Sequence, residues 1–301
     1  MTQREPSPYE KAAIEAIHKW KTPSMTWWDQ AMKVVNAPLD YAGDLAMKVP
    51  GVEWVIQKSF GGILSLLNDG AALTVRPDAI FEEFSVPIER ASDIHGLDLE
   101  VVDHAIGYLA AKYKSLALTE GAAAGAASLG GPVAGGAAIA ADVAALLALN
   151  LRAVGEYATY FGFDINHQEE RLFALNVLGL ASSPDDAAKS VALAQLVKIA
   201  QQVAQKKTWK ELEKHLFVQI IQRIAKALAI RLTKAKLAQL VPAAGAAIGG
   251  GFNAYYTSEV CDAAFFLYRE RFLARKYGPE IIEATVKPAE EGDFGEGYET
   301  A

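Results

Sequence analysis

The sequence predicts an all-α protein: a single helical domain of long helices containing two close-packed hairpins rich in glycine and alanine. Three observations lead there. Helix-start and helix-stop residues recur along the chain with apolar side chains spaced three and four apart, and no stretch shows the convincing two-residue alternation of a half-buried strand. Two tracts, Gly121 to Ala141 and Leu237 to Ser258, carry no charged residue and are dominated by small side chains. Hydrophobic residues make up 51% of the chain against 22% charged, which is enough to fill a core and too apolar for disorder.

The elements follow in order. Ser7-Pro8-Tyr9-Glu10 has the spacing of a capping box with proline at the first helical position, so a helix runs from Pro8 to about Trp20. Beyond Pro23, Ser24 to Val35 and Leu39 to Val49 read as helices interrupted at Pro38, and Val52 to Leu73 as another, weakened at Gly61-Gly62. Pro77 and Pro87 bracket a short helix. From Asp98 the residues Val101, Val102, Ala105, Ile106, Leu109 and Tyr113 predict one amphipathic helix that runs on into the first charge-free tract, broken at Gly130-Gly131-Pro132. Val133 to Phe161 is the next, stopped by Gly162.

Three further starts are marked by Asn166-His-Gln-Glu169, by Ser183-Pro184 with Asp185 and Asp186, and by Thr208-Trp-Lys-Glu211. The last leads into an apolar stripe through Phe217, Ile220, Ile221, Ile224 and Leu228, which ends or kinks at Val241-Pro242. A final helix from Ala243 to Lys276 closes at Gly278-Pro279. The domain is expected to cover residues 1–279, and the acidic stretch 280–301 to be a mobile tail.

Glycines four apart are the motif of the charge-free tracts. Gly121 with Gly125, Gly131 with Gly135, and Gly245 with Gly249 each put two positions lacking a side chain on one helical face, where another backbone can approach closely. At 21 and 22 residues the tracts are long enough to cross a bilayer, but glycine and alanine offer little apolar area, and each contains a proline, Pro132 or Pro242. The favoured reading is a pair of buried hairpins, with membrane-inserted or shallow interfacial hairpins as the alternatives. The octets starting at Pro132 and Pro242 echo each other as two similar packing solutions.

The net charge of −7 conceals a division. Residues 1–186 hold 13 Lys and Arg against 24 Asp and Glu, whereas 187–236 hold 11 against 2. Such asymmetry suits an anionic surface, for which Lys206, Lys207, Lys210, Arg223, Lys226 and Lys234 are the candidates; pairing with the acidic remainder of the chain is the competing explanation. The tryptophans Trp20, Trp27 and Trp28, near Lys19, Lys21 and Lys33, fit either core packing or an interfacial anchor.

Chemistry is sparse. The chain has no GxxxxGK[ST] loop, no GxSxG elbow and no HExxH, and its five histidines are scattered, so neither a catalytic residue nor a metal site nor a cofactor is assigned. Asp103-His104 reads as a solvated polar stretch of helix surface, and Arg152 with Glu156 as a helix-surface pair. Cys261, the sole cysteine, reads as a small buried side chain and leaves no internal disulfide. Nucleic acid is not an expected partner, because overall acidity opposes it and no basic-aromatic module is present.

Asp142 is the most informative ionisable residue. It shares a helical face with Ala138, Ile139, Ala145, Leu146 and Leu149, so it points inward, where an unpaired carboxylate is costly and its pKa rises. A partner is required. One reading has Asp142 bond Asn253, a hydroxyl or a helix terminus and fix the register of the two hairpins; another makes Asp142 and Asn253 polar anchors of a ligand pocket between them. An enzyme of unrecognised type using Asp142 or Glu120 is a third.

The run Gly121 to Asp164, with its Gly-rich break, Ala141-Asp142, Leu151-Arg152, the Phe-Gly-Phe-Asp at 161–164 and Glu170-Arg171, resembles the EcsC family of bacterial proteins. So does the later block of Pro242, Gly245-Ala-Ala-Ile-Gly-Gly, Asn253 and Tyr268-Arg-Glu-Arg271. The resemblance covers about residues 40–278. The family is named after a gene beside those of an ABC transporter and has no established reaction, so the resemblance implies association with a bacterial membrane or transporter and supplies no catalytic residues. The resulting expectation is a cytoplasmic, non-enzymatic accessory protein, peripheral on the inner face of the cell membrane; a carrier of lipid or another hydrophobic molecule is the alternative.

Overall fold

The structure, a computed structural model, describes residues 5–21, 47–48, 51–68, 75–127, 132–182, 214–238 and 251–283; within these, side chains are not described at 66–68, 120–127, 132–136, 168, 214–221, 223, 238, 251, 282 and 283. Every α-helix and 3-10 turn fits the all-α expectation, and no strand occurs among the described residues. In chain order the helices are α1 (Pro8–Lys21), α2 (Val52–Asn68), α3 (Pro77–Phe81), α4 (Leu99–Ile106), α5 (Leu109–Ala127), α6 (Pro132–Tyr160), α7 (Gln168–Ala181), α8 (Lys214–Ala238), α9 (Gly251–Tyr277) and α10 (Glu280–Glu283), with a 3-10 turn at Ala91–Gly96.

Local chemistry sets most of the helix ends. The Ser7 Oγ accepts from the Glu10 amide at 3.2 Å while the Ser7 amide donates to Glu10 Oε2 at 2.9 Å, a reciprocal cap that starts α1. Gly162 ends the helix before it with φ +83°, and a Cβ there would lie 2.8 Å from the Ala91 carbonyl oxygen and from His95 Nε2, so the chain needs glycine on both counts. Gly278, at φ +111°, ends α9.

Several expectations are corrected. The helix predicted to run unbroken from Asp98 is two, because Gly107 at φ +47° separates α4 from α5. α2 runs through Gly61-Gly62 as one helix, as expected, and at Gly62 an added Cβ would touch the Ala144 side chain at 3.4 Å, so this glycine brings α2 close to α6. The cap of α7 is His167 and not Asn166, whose amide and side chain both donate to Asp164 Oδ1 in a local turn. Glu280–Glu283, assigned to the tail, is helical, with Ile281 against the core. Met47 and Lys48 form a turn. Residues 24–46, the starts at Ser183 and Thr208, the onset of the last helix before Gly251, Trp27, Trp28 and the tail beyond residue 283 lie outside the described residues.

α6 and α9 form the centre of the bundle: α6 packs on α2, α5, α7, α8 and α9, and α9 on α1, α5, α6 and α7. One buried apolar cluster extends from Ala13 in α1 to Ala274 in α9. Side-chain pairs fix the directions. Asn150 Nδ2 donates to Thr257 Oγ1 at 3.2 Å and Phe161 meets Phe265, so α6 and α9 run parallel. Lys112, near the start of α5, pairs with Glu156, near the end of α6, and only four residues separate the end of α5 from the start of α6 in the chain, so α5 runs opposite to α6 and hence to α9. Lys236, near the end of α8, reaches Asp142 and Asn253, near the starts of α6 and α9. The opposite directions of α5 and α6, and the contacts of Lys236 at the end of α8 with the starts of α6 and α9, therefore place the described ends of both charge-free tracts at one pole of the bundle.

Candidate functional site

At that pole a lysine joins the two residues singled out by the sequence. Lys236 Nζ lies 2.6 Å from Asp142 Oδ2, donates to Asn253 Oδ1 and sits 5.9 Å from the centre of the Phe252 ring. Its side chain is 3% exposed and that of Asp142 14%. Burial pulls the Lys236 ammonium below its ordinary pKa, and the Asp142 carboxylate opposes that shift. Asp142 does need a partner, as its position on the helix predicts, but the partner is a cation from a third helix that bridges it to Asn253. Lys236 belongs to the segment read as basic surface; its burial removes it from that surface. The bridge pins α6, α8 and α9 together at the first charged residue of α6 and the last of α8.

The opposite end of the bundle is rich in buried charge. Three consecutive α9 residues, Arg269, Glu270 and Arg271, each reach a different helix. Arg269 Nη2 meets Asp103 Oδ2 of α4 at 2.5 Å, Glu270 holds Lys21 of α1, and Arg271 makes a two-pronged pair with Glu170 of α7 at 2.6 and 2.7 Å. The Arg271 guanidinium also lies 4.2 Å and 4.3 Å from the ring centres of Phe163 and Phe173. Lys276 Nζ donates to Glu10 at 2.8 Å, and Tyr277 bonds the same carboxylate. Burial alone would raise the Glu10 pKa; the bonds from Lys276, Tyr277 and Ser7 outweigh it and lower it to about 2.

Asp103 and Glu156 correct the surface readings given to them. Burial raises the Asp103 pKa against the pull of Arg269, whereas His104 beside it is exposed. Glu156 is 6% exposed in its side chain and accepts from Lys112 at 2.8 Å as well as from Arg152 at 3.2 Å. Cys261 is buried as expected, its thiol pushed up to about 12 by burial. Trp20 stacks on Phe266 at 5.1 Å, in keeping with core packing.

The remaining sequence candidates divide by location. Gly121 and Gly125 lie in α5 and Gly135 in α6, but their surroundings, like the Glu120 and Arg223 side chains, are outside the described residues. So are Gly131, Gly245, Gly249, Lys206, Lys207 and Lys210. Lys226 is exposed and Lys234 half-buried. Among the described residues no three His, Cys, Asp or Glu side chains gather as a metal-binding group. An open cleft lined by Asp78, Glu82, Phe84 and Ile88 lies near the far end of α6, where Tyr160 donates to Glu83, well away from the Asp142 bridge.

The EcsC protein family matches residues 11–273 of this chain. Two proteins of Bacillus subtilis (strain 168) are similar: an uncharacterized protein, YdbA, 24% identical over 86% of this chain and 90% of its own length, and Protein EcsC, 28% identical over 46% of this chain and 52% of its own. No solved structure matches.

Proposed function

The chain belongs to the EcsC protein family, and from that premise we propose that it is a non-enzymatic accessory protein acting at a membrane surface, on anionic lipid or beside a membrane transporter. The observation that carries this reading is the lengthwise separation of charge. Buried ion pairs concentrate at the α1, α4 and α7 end of the bundle, whereas the described parts of both charge-free tracts meet at the opposite pole, where Asp142 and Lys236 neutralise each other. A protein surrounded by water on all sides gains nothing from collecting uncharged surface at one end; a protein facing lipid does. The exposed Lys226 on α8 adds cationic surface of the kind that an anionic leaflet attracts. The buried acids Glu10, Glu156, Glu170 and Glu270 are each held by a cation, which favours structural over catalytic roles for them.

The test is sedimentation of the purified chain with vesicles of phosphatidylglycerol or of phosphatidylcholine, together with fractionation of the cells that make it. Cosedimentation with the anionic vesicles and recovery in the membrane fraction are expected. Full recovery in the supernatant at low salt, in both assays, overturns the reading.

A further inference from the structure

We propose that Lys112 and Arg152, held together on the carboxylate of Glu156, form a site for one phosphodiester group, such as a phospholipid headgroup presents. The lipid source rests on the membrane reading just given; the site itself does not.

The first argument is a carboxylate with more donors around it than it uses. Glu156 of α6, 6% exposed in its side chain, accepts from Lys112 Nζ of α5 at 2.8 Å through one oxygen and from Arg152 Nε at 3.2 Å through the other. Two cations thus stand on one anion and leave a surplus positive charge. Tyr113 supplies a third donor. Its side chain is buried and its hydroxyl has no hydrogen-bond partner, yet burial and then the charge of Glu156 raise its pKa, so the hydroxyl lies beside the same carboxylate.

The second argument is that both cations face outward as well as inward. The Lys112 and Arg152 side chains are 49% and 37% exposed. Arg152 meets Glu156 through Nε, so its terminal nitrogens, like two protons of the Lys112 ammonium, remain for a ligand. The two side chains are separated by no more than two hydrogen bonds and the width of a carboxylate. A phosphate group has a similar spacing between its oxygens and bridges the same gap.

Charge then selects the class of ligand. With Glu156 in place, one further negative charge brings the cluster to neutrality, which fits a phosphodiester, whereas a phosphate monoester brings a charge in excess. The neighbouring acids have donors of their own: Tyr160, one turn beyond Glu156, donates to Glu83, and Lys114 acts on Asp262. Tyr108 and Leu116, one turn before and after Lys112, are 91% and 40% exposed and offer apolar surface for the glycerol and acyl part of a lipid.

Binding is an exchange of partners. Lys112 swings on its flexible stem from Glu156 to the phosphodiester, and the Tyr113 hydroxyl donates to the carboxylate oxygen that the lysine leaves, so no buried charge is orphaned. Arg152 stays on Glu156 and turns its terminal nitrogens to the ligand. Tyr113 is a positioning residue, since it acts through Glu156 and Lys112 and never touches the ligand.

The test is isothermal titration calorimetry of the full chain with dihexanoyl phosphatidylglycerol below its micelle concentration, and with the deacylated headgroup, glycerophosphoglycerol. Expected is binding of both, tighter for the acylated compound. Lys112→Gln should weaken it about tenfold. Tyr113→Phe, which removes no bond of the free protein, should do the same without lowering Tm. Lys226→Gln, on the exposed face of α8, should change nothing. Equal effects of Lys112→Gln and Lys226→Gln overturn the site, as does binding of neither compound by a chain that still sediments with phosphatidylglycerol vesicles; both results leave the membrane reading standing. Unchanged affinity in Tyr113→Phe overturns the exchange. Headgroup binding as tight as that of the lipid, with no sedimentation on vesicles, supports the site and removes the membrane reading.

Discussion

Replacing Glu170 by alanine removes the carboxylate that faces Arg271, whose side chain is 5% exposed and enclosed by Phe163, Phe173 and Tyr268. The guanidinium cannot lose its proton at any ordinary pH, and water cannot replace the two bonds of 2.6 and 2.7 Å without opening the packing between α7 and α9. Breaking a buried pair in this way costs about 3–5 kcal/mol, which corresponds to a fall of about 10 °C in Tm for a chain of this size. Urea unfolding followed by circular dichroism measures it. Glu170→Gln keeps an acceptor and should lose less, and Glu170→Leu combined with Arg271→Met, which removes both charges, should regain most of the loss. A Glu170→Ala protein within about 1 kcal/mol of the parent would refute the argument, because it would mean that the pair is hydrated and that α9 is not held to α7 by charge.

Three further outcomes are expected. His95, packed on Phe163 and Phe272, has its pKa lowered to about 4 by burial first and then by Arg275 and Arg271; the unfolded chain binds the proton more readily. Stability should therefore be full above about pH 6.5 and fall as pH drops towards 4, and a His95→Phe protein should lack that part of the slope in urea midpoints measured across the range. Gly162→Ala should cost about 1–3 kcal/mol by thermal melting, through its positive φ and the contact with Ala91 and His95; an unchanged Tm would show that the turn relaxes freely. Asp142→Asn leaves Lys236 buried with amide partners alone and should cost about 2–3 kcal/mol, with Asp142→Asn/Lys236→Met recovering most of it; no loss in the single variant would show that the bridge is not closed to water.

What the sequence made legible depends on how far apart the deciding residues lie. Ser7 with Glu10, Gly162 and Gly278 act within four residues of where they stand, and those helix ends fell where expected. The break at Gly107 was hidden because Val102, Ile106, Leu109 and Tyr113 keep a three-four spacing across it, so periodicity alone cannot tell one helix from two that share a buried face. The use of Gly62 was hidden for a different reason: it allows a close approach to Ala144, more than eighty residues away, and local propensity registers only its cost.

The ion pairs had the same difficulty, since Lys21–Glu270, Asp103–Arg269 and Glu170–Arg271 join positions separated by more than ninety residues. One local signal was nonetheless present. Successive residues of a helix point about 100° apart, so Arg269, Glu270 and Arg271 cannot share a solvent face, and with Phe265, Phe266, Leu267, Phe272 and Leu273 around them they belong to a helix enclosed on several sides. Charges in such a helix must find partners. The same reasoning limits the basic segment: Lys236 turns inward to Asp142, and Arg231 is half-buried with its guanidinium on the Ser182 carbonyl, so less positive charge faces outward from α8 than the composition of 187–236 suggests. If the chain meets a membrane, uncharged surface at the pole has to contribute alongside electrostatic attraction, and salt alone should release only part of the bound protein.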